Sequence, residues 1–598
     1  MGVATSYGRL RFGDVDGVSC WELDAVPHVM MRVRRIFPRA DATRRGPLLL
    51  KDTPEVAVDL EWLLDRFPMR TGDATRQYLE ERAETARETE RRVADILGGA
   101  PPVFDGELLE PARPARVYQQ QAADVAFVTG QVVIVDDVGL GKTMTAQLML
   151  QHPETLPALF VTLTHLPKQM LGELGKTFPT LTGHILRAGE PYDPFDGTSV
   201  RGPVPQVLFT SYSKLARWQD VLAGRVRTVI YDEVQELRRV GPSLDRPSYR
   251  YTAATHIARK AQWRVGLTAT PVYNYADEIH TVFDVVAPDS LGTRAEFLRE
   301  WSGTSKGNNA VIRDAGPLGQ YLRDQGLMLR RTRTDVGREL TEPVQVEQPV
   351  DTDHDAIAKA VEEIAGIAQL VLSTNEADAR DRFKAAGELD WKLRHATGVA
   401  KAPYVAAFVR LLLESEQRVV LYGWHRDVYA VWLAALRDYA PALYTGSESV
   451  SRKADSVQRF LDDDDPCRVL ILSLRSGAGL DGLQQAASVC VFGELDWSPG
   501  VHEQCIGRLW RDGQDGTVVA YYMVSDDGAD PLMIEALGVK QSQAEAIRNP
   551  DKALVGRVVD PDRLRTLAAQ VLERAKSTPA VDPHQPALPR LTLVQDSR

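Results

Sequence analysis

The string Asp136-Asp137-Val138-Gly139-Leu140-Gly141-Lys142-Thr143 has the composition of a phosphate-binding loop. Gly139 and Gly141 free the backbone N–H groups around Leu140 to turn inward toward phosphate oxygens at a helix N-terminus. Lys142 would neutralise the β- and γ-phosphates of a nucleotide, and the Thr143 hydroxyl would ligate Mg²⁺. The strict pattern begins with glycine, and here Asp136 stands in that place. About ninety residues on, apolar Val229-Ile230-Tyr231 runs into Asp232-Glu233. Asp232 at a strand tip is suited to hold Mg²⁺, and Glu233 to orient or deprotonate an attacking water. Gly266 to Pro271 (Gly-Leu-Thr-Ala-Thr-Pro) is a third strand-end string, whose small hydroxyls could relay nucleotide state. Gln504, Arg508 and Arg511 fall at i, i+4 and i+7, on one helix face. Arg508 and Arg511 could reach across a cleft and stabilise transition-state charge as arginine fingers.

These groups need scaffolding, and the surrounding texture supplies it. Short β-rich runs (Gln131 to Val135, Leu159 to Leu163, Gln206 to Phe209, Thr228 to Tyr231, Arg264 to Leu267) alternate with helix-length segments. Such alternation implies a parallel sheet with crossover helices, an α/β fold. The texture resumes at Arg418 to Tyr422, Arg468 to Ser473, Val489 to Phe492 and Val518 to Val524, with a mostly helical stretch over 275–400 between. Residues 1–100 read as a separate α+β unit: short strands, a helix starting at Thr53-Pro54-Glu55, and a charged helix from Ala74 to Leu97 ending at a Gly-Gly-Ala-Pro-Pro linker.

Composition narrows the class. The 598 residues are 44% hydrophobic and 26% charged, an ordinary globular balance. No run approaches the length of a membrane helix, and the first residues lack the pattern of a secretory leader, so a cytoplasmic location is expected, in a bacterial cell or a phage-infected host. The four cysteines are scattered, which predicts neither a disulfide framework nor a zinc site. A net charge of −11 argues against a generally basic nucleic-acid binder, but not against a motor whose basic groups line one cleft.

Taken in order, the four strings resemble helicase superfamily II, and within it the SWI/SNF branch of double-stranded DNA translocases, over roughly residues 113 to 540. Arg116-Val117-Tyr118-Gln119 is similar to the family's adenine-reading motif, which implies that Gln119 reads the base. Leu163 to Gln169 and Thr210-Ser211-Tyr212 are similar to first-lobe DNA-contact motifs; Tyr444-Thr445-Gly446 and Ser473 to Leu483 are similar to second-lobe ones. Met328 to Val336 resembles the family's Leu-Arg-Arg stretch. Gly493 to Gly500, with Asp496-Trp497-Ser498-Pro499 at its centre, looks most like the annealing-helicase members, and the N-terminal unit resembles their HARP-type module, with an unrelated packing domain as the alternative. Where the family has His after its acidic pair, this chain has Gln235, which can also donate and accept hydrogen bonds.

The resemblance implies two tandem RecA-like lobes with ATP and Mg²⁺ between them. The expected divisions are an accessory domain at 1–100, a first lobe at 113–345, a helical connection at 346–400, a second lobe at 401–540, and a C-terminal helix and disordered tail at 541–598. The expected nucleotide site comprises Gln119, Gly139, Leu140, Gly141, Lys142 and Thr143, with Thr143 and Asp232 on the metal and Glu233, Gln235, Arg508 and Arg511 catalytic. The expected activity is ATP-dependent translocation on duplex or branched DNA, with replication or repair proteins as further partners and no membrane. Strand separation, or a nucleotide-gated DNA-binding scaffold, are the rival readings. The arginine-rich run from Met31 to Arg45 is either a DNA contact or a face paired with the acidic helix between Glu80 and Glu90.

Overall fold

The computed structural model describes residues 6–537 and 568–573, except 16–17, 38–39, 41–45, 101–103, 105, 188, 201, 239–247, 270–275, 303–311, 314, 338–339, 373–378, 476–479, 481, 536 and 570. The expected tail and most of the expected C-terminal helix therefore lie outside the described residues, as do Thr270, Pro271 and Gly477 to Gly479.

Two parallel sheets dominate. The first has seven strands, in the order Met328–Leu329, Gln131–Ile134, Trp263–Leu267, Thr228–Asp232, Ala158–Thr162, Val207–Ser211 and Gly183–Ile185. The second has six: Val344–Val350, Val519–Ser525, Val489–Phe492, Val419–Gly423, Val469–Ser473 and Ala442–Tyr444. Every described pairing in both is parallel. Central strands such as Ala158–Thr162 and Val469–Ser473 are buried along their whole length, as a sheet covered by helices on both faces requires. This is the α/β fold of two tandem RecA-like lobes. Because all strands of a sheet run the same way, the chain leaves Ile134, Thr162, Asp232 and Leu267 on one edge, where open α/β sheets bind ligands.

The division between lobes differs from the expected one. Val344–Val350 pairs in register with Val519–Ser525 and belongs to the second sheet. The helix Ala379–Leu412 runs through residue 401 without a break. The second lobe thus begins at Val344, 57 residues before the expected boundary. An exposed edge strand with only alternate positions half-buried gives a weak hydrophobic signal.

The N-terminal unit has four strands in the order Leu48–Lys51, Val18–Ala25, Gly8–Val15 and Arg70–Thr71, with helices Pro27–Ile36, Pro54–Arg66 and Asp73–Leu97. Thr53 caps the second helix, accepting from Val56 N at 3.3 Å. The unit closes its own core around Leu10, Trp21, Leu23, Val33, Leu60 and Leu63. It meets the first lobe through Lys51–Asp289 (2.8 Å) and Tyr321–Glu55 (2.9 Å). In the arginine-rich run, Val33 and Phe37 pack inward and Arg32 lies over the Phe67 ring. Glu84 of the acidic helix pairs with Arg87 and Arg91 of that same helix. Arg39, Arg44 and Arg45 are outside the described residues.

Candidate functional site

The phosphate-type loop leaves the strand Gln131–Ile134 and enters the helix Lys142–Leu148 through two left-handed glycines, Gly139 (φ 86°) and Gly141 (φ 76°). The positive φ at both positions favours glycine, and each also lies close under the end of a neighbouring side chain. A Cβ on Gly141 would lie 2.5 Å from Gln119 Nε2, and one on Gly139 would lie 2.5 Å from an Arg333 nitrogen. Lys142 Nζ donates to the carbonyls of Asp136 (2.8 Å) and Asp137 (3.2 Å). Burial lowers the Lys142 pKa, and Glu233 and Asp136 pull against that shift.

The aspartate that replaces the loop's first glycine has a structural partner. Asp136 is fully buried and takes the Arg331 side chain through both carboxylate oxygens, plus the Arg331 backbone N–H at 3.1 Å. Arg330 donates to Asp137 at 2.6 Å. Met328–Leu329 runs beside Gln131–Ile134 in the sheet, so the Leu-Arg-Arg stretch leaves the edge alongside the loop and clamps it. Removing one partner of such a buried pair costs about 3–5 kcal/mol, because the other charge is left without compensation. Arg330 and Arg331 were visible in the sequence as a motif, but their clamping role was not; the signal was the unexplained Asp136.

Gln119 lies in the first turn of the helix Val117–Thr129. Its side-chain oxygen accepts from Arg116 N (3.2 Å), and its amide donates to Leu140 O (3.1 Å). The Tyr118 hydroxyl donates to the same carbonyl at 3.0 Å. Gln119 thus braces the loop as well as lining the cleft.

Asp232 and Glu233 follow the strand Thr228–Asp232. Asp232 accepts from the Thr162 hydroxyl at 3.1 Å, and its backbone carbonyl accepts from the Tyr212 hydroxyl at 2.8 Å. Burial, and next the charge of Glu233, raise the Asp232 pKa to about 7. Asp232, so placed beside a second carboxylate, is strained as an anion unless a cation joins it, and Thr143 lines the same cleft. Thr143 and Asp232 therefore fit a magnesium ion by donor type. Glu233 holds a left-handed backbone (φ 55°), a conformation that costs a non-glycine residue about 1–3 kcal/mol and tends to mark functional sites. Its carboxylate accepts from the Gln235 side chain and, across the lobes, from Gln504 at 3.2 Å.

From the second lobe, the helix Pro499–Ile506 and the turn after it carry Gln504, Arg508 and Arg511 to the same cleft. Arg511 donates to Gly507 O (2.9 Å) and Leu480 O (3.2 Å). Burial lowers the Arg508 pKa, with the neighbouring Arg511 charge next. The cavity, about 580 Å³, is lined from the first lobe by Gln119, Gly139, Gly141, Lys142, Thr143, Asp232 and Glu233, and from the second by Gln504, Arg508 and Arg511. Leu140 does not line the cavity: its side chain is buried, its N–H donates to Asp137 O at 3.3 Å, and its carbonyl accepts from Tyr118 and Gln119. Gln235 sits behind Glu233 and does not line the cavity.

The branch-specific string in the second lobe is a packing junction. Glu494 accepts from Trp424 N, His425 N and His425 Nδ1 (2.6, 2.9 and 2.6 Å). Asp496 accepts from Arg475 at 2.7 Å, and the Trp497 indole donates to Asp390 at 2.7 Å. Trp497 thus fastens the segment after Val489–Phe492 to the long helix Ala379–Leu412, while Glu494 and Asp496 tie it to the ends of the neighbouring strands Val419–Gly423 and Val469–Ser473.

Two parallel α/β lobes thus meet around a glycine loop, a carboxylate pair and facing arginines. Residues 118–356 match the SNF2-related domain. That match spans less than half of the chain. It is 25% identical over 429 residues to the mouse DNA annealing helicase and endonuclease ZRANB3, a match covering 69% of this chain and 38% of that protein. It is 23% identical over 479 residues to the Drosophila melanogaster SWI/SNF-related matrix-associated actin-dependent regulator of chromatin subfamily A-like protein 1, covering 75% and 59%. A solved structure, the Sulfolobus solfataricus SWI2/SNF2 ATPase core in complex with dsDNA, aligns over 79% of this chain and 98% of that one at 16% identity and a TM-score of 0.35. The matches thus span between about two and three fifths of the first two relatives' length.

Proposed function

We propose that this chain hydrolyses ATP with Mg²⁺ in the cleft between its lobes and uses the cycle to move along duplex or branched DNA, remodelling or annealing it. The observation that carries this reading is the single cavity where Lys142, Thr143, Asp232 and Glu233 of one lobe face Gln504, Arg508 and Arg511 of the other. Thr143 and Asp232 would hold Mg²⁺, which would supply neutralisation of phosphate charge. Lys142 would leave the Asp136 and Asp137 carbonyls to meet the phosphates. Glu233, held by Gln504 and Gln235, would orient the attacking water and take its proton. Arg508 and Arg511 would meet the charge that develops on the transferred phosphoryl group, a task that requires both lobes together.

Closure and reopening of the lobes would move second-lobe loops against first-lobe loops along a phosphate backbone. Phosphate contacts position without specifying sequence, so sequence preference should be weak. The similarity to an annealing helicase supports action on branched or unpaired duplex over simple strand separation, and the Asp496 to Pro499 string supports it too. A cytoplasmic location belongs with this proposal; among the described residues no helix is long and apolar enough to cross a membrane.

The test is ATP turnover by the full chain with blunt duplex, forked, single-stranded DNA or RNA, at several salt concentrations. Duplex or forked DNA should stimulate, and stimulation should fall steeply as salt rises through counterion release. Lys142→Ala should lower kcat about 10²–10³-fold, the scale for one lost preorganised electrostatic contact. Strong unwinding with stimulation by single strands alone favours a strand-separating helicase. Absence of turnover with every ligand favours a nucleotide-gated scaffold.

A further inference from the structure

Arg333 is one of three arginines that follow the edge strand Met328–Leu329, and it is used differently from its neighbours. Arg330 and Arg331 each meet a carboxylate of the loop. The Arg333 guanidinium instead donates to two carbonyls, Val138 O in the phosphate-type loop at 2.7 Å and Trp510 O in the second lobe at 2.5 Å. It also lies 4.4 Å from the centroid of the Trp510 ring. Trp510 immediately precedes Arg511, and its indole donates to Thr341 O at 3.0 Å. The Arg333 backbone N–H is fixed by Asp137 at 3.1 Å.

The packing here leaves little slack. A Cβ on Gly139 would strike the Arg333 side chain at 2.5 Å and sit 3.4 Å from Arg511 Cβ. A Cβ on Gly507 would lie 2.2 Å from a Val138 methyl. The loop, Arg333 and the finger segment therefore touch in one knot across the cleft. Arg333 is only 4% exposed, yet its Nε and Nη1 groups have no acceptor among the described residues. Burying unpaired donors is costly, so this arrangement is not self-sealing. Opening the lobes would return those donors to water. Arg511 lies close enough that its charge also opposes that of Arg333, behind burial and against the pull of Asp137 and Asp512. Incoming negative charge would relieve that repulsion.

We infer that Arg333 is a positioning residue that couples closure of the two lobes to the placement of Arg511, through its bridge between the Val138 and Trp510 carbonyls and its stacking on Trp510. This rests on the ATP-driven closure proposed above. The guanidinium is needed for it because one of its nitrogens meets both carbonyls while the planar group lies over the indole; an ammonium can reach two carbonyls but has no plane to stack.

The experiment compares the full chain with Arg333→Ala, Arg333→Lys, Trp510→Phe and the Arg333→Ala/Trp510→Phe double variant. It measures duplex-stimulated kcat, ATP affinity and thermal melting. Closure is followed separately by energy transfer between dyes on Asp220→Cys and Arg437→Cys. All four natural cysteines are buried, so labelling is selective. Arg333→Ala should lower kcat about tenfold to a hundredfold, the usual range of a coupling between sites, with ATP affinity and melting close to those of the unsubstituted chain. It should also shift the dye pair toward the open distance with ATP bound. Arg333→Lys should restore little, and the double variant should lose less than the product of the singles. Unchanged kcat and unchanged dye distance in Arg333→Ala overturn the inference. So does equal loss of affinity and kcat, which makes Arg333 a nucleotide ligand, or a melting loss that accounts for all lost activity. If the unsubstituted chain hydrolyses no ATP with any DNA, the proposed function fails, and the dye distance with and without ATP still decides the role of Arg333.

Discussion

The two lobes hold their functional side chains in different ways. In the first, the loop is clamped by two charged pairs inside its own lobe, Asp136 with Arg331 and Asp137 with Arg330, and Asp232 at the next strand end is held by the Thr162 hydroxyl. In the second, Arg511 hangs from the carbonyls of Gly507 and Leu480, and Gln504 reaches out to Glu233 of the other lobe. A buried ion pair with good geometry resists movement, because separating it exposes uncompensated charge. A guanidinium on neutral carbonyls can change acceptors at smaller cost. The contrast suits a machine in which one lobe presents a fixed nucleotide cradle and the other brings charge to it on closing.

The contrast breaks most sharply at Arg511. Arg511→Ala should reduce DNA-stimulated kcat by about 10³–10⁵-fold, the range for a lost arginine finger, while ATP affinity and thermal stability hold. Steady-state turnover beside a nucleotide titration reads both; collapse of affinity with kcat preserved would make Arg511 a binding residue.

Asp136→Ala is the first-lobe counterpart, and its loss should be one of folding. It strands the Arg331 charge and should cost about 3–5 kcal/mol in urea unfolding. Wild-type stability in that variant would mean the loop is not held by the pair.

Asp232→Asn separates stability from function within the first lobe. Asp232 keeps its proton to higher pH in the folded state than in the unfolded chain, because burial and Glu233 disfavour its charge. The folded form therefore binds the extra proton between about pH 4 and the folded value near 7, and its stability falls as pH rises through that window. The asparagine variant lacks this fall. At pH 8 without Mg²⁺ it should melt higher than the wild type by roughly 2–4 °C or more, while Mg²⁺-dependent turnover is lost. Equal melting at pH 8 would show that the carboxylate is not strained.

The smallest effect is expected at Arg116–Asp512, a 2.9 Å pair that bridges the lobes at the cleft rim, with both side chains well exposed. Arg116→Ala should change stability by about 0.2–1 kcal/mol and lose even that at high salt. A larger effect would move the lobes' adhesion from Arg333 and Trp510 to the rim.

The sequence by itself determined the local elements. The strands Gln131–Ile134, Thr228–Asp232 and Val489–Phe492 follow from continuous apolar runs between turn signals, and the loop from glycines at fixed spacing before a helix. That Lys142, Asp232 and Arg511 would meet was legible only through the order of motifs that resemble a family. Two elements were hidden for opposite reasons. The helix Pro27–Ile36 read as an arginine-rich run, since only Val29 and Val33 of its ten residues are buried. The edge strand Val344–Val350 alternates weakly because one side faces solvent.

Only the tertiary structure decided what the charged residues do. Asp136 looked like a departure from a phosphate-loop pattern until Arg331, 195 residues away, closed on it. Arg333 looked like one more basic residue in a stretch until the second lobe brought Trp510 against it. Periodicity and turn chemistry act over a few residues, so a chain declares its helices and strands locally. Which carboxylate meets which guanidinium depends on which strands become neighbours and how two lobes seat, and no local pattern records that.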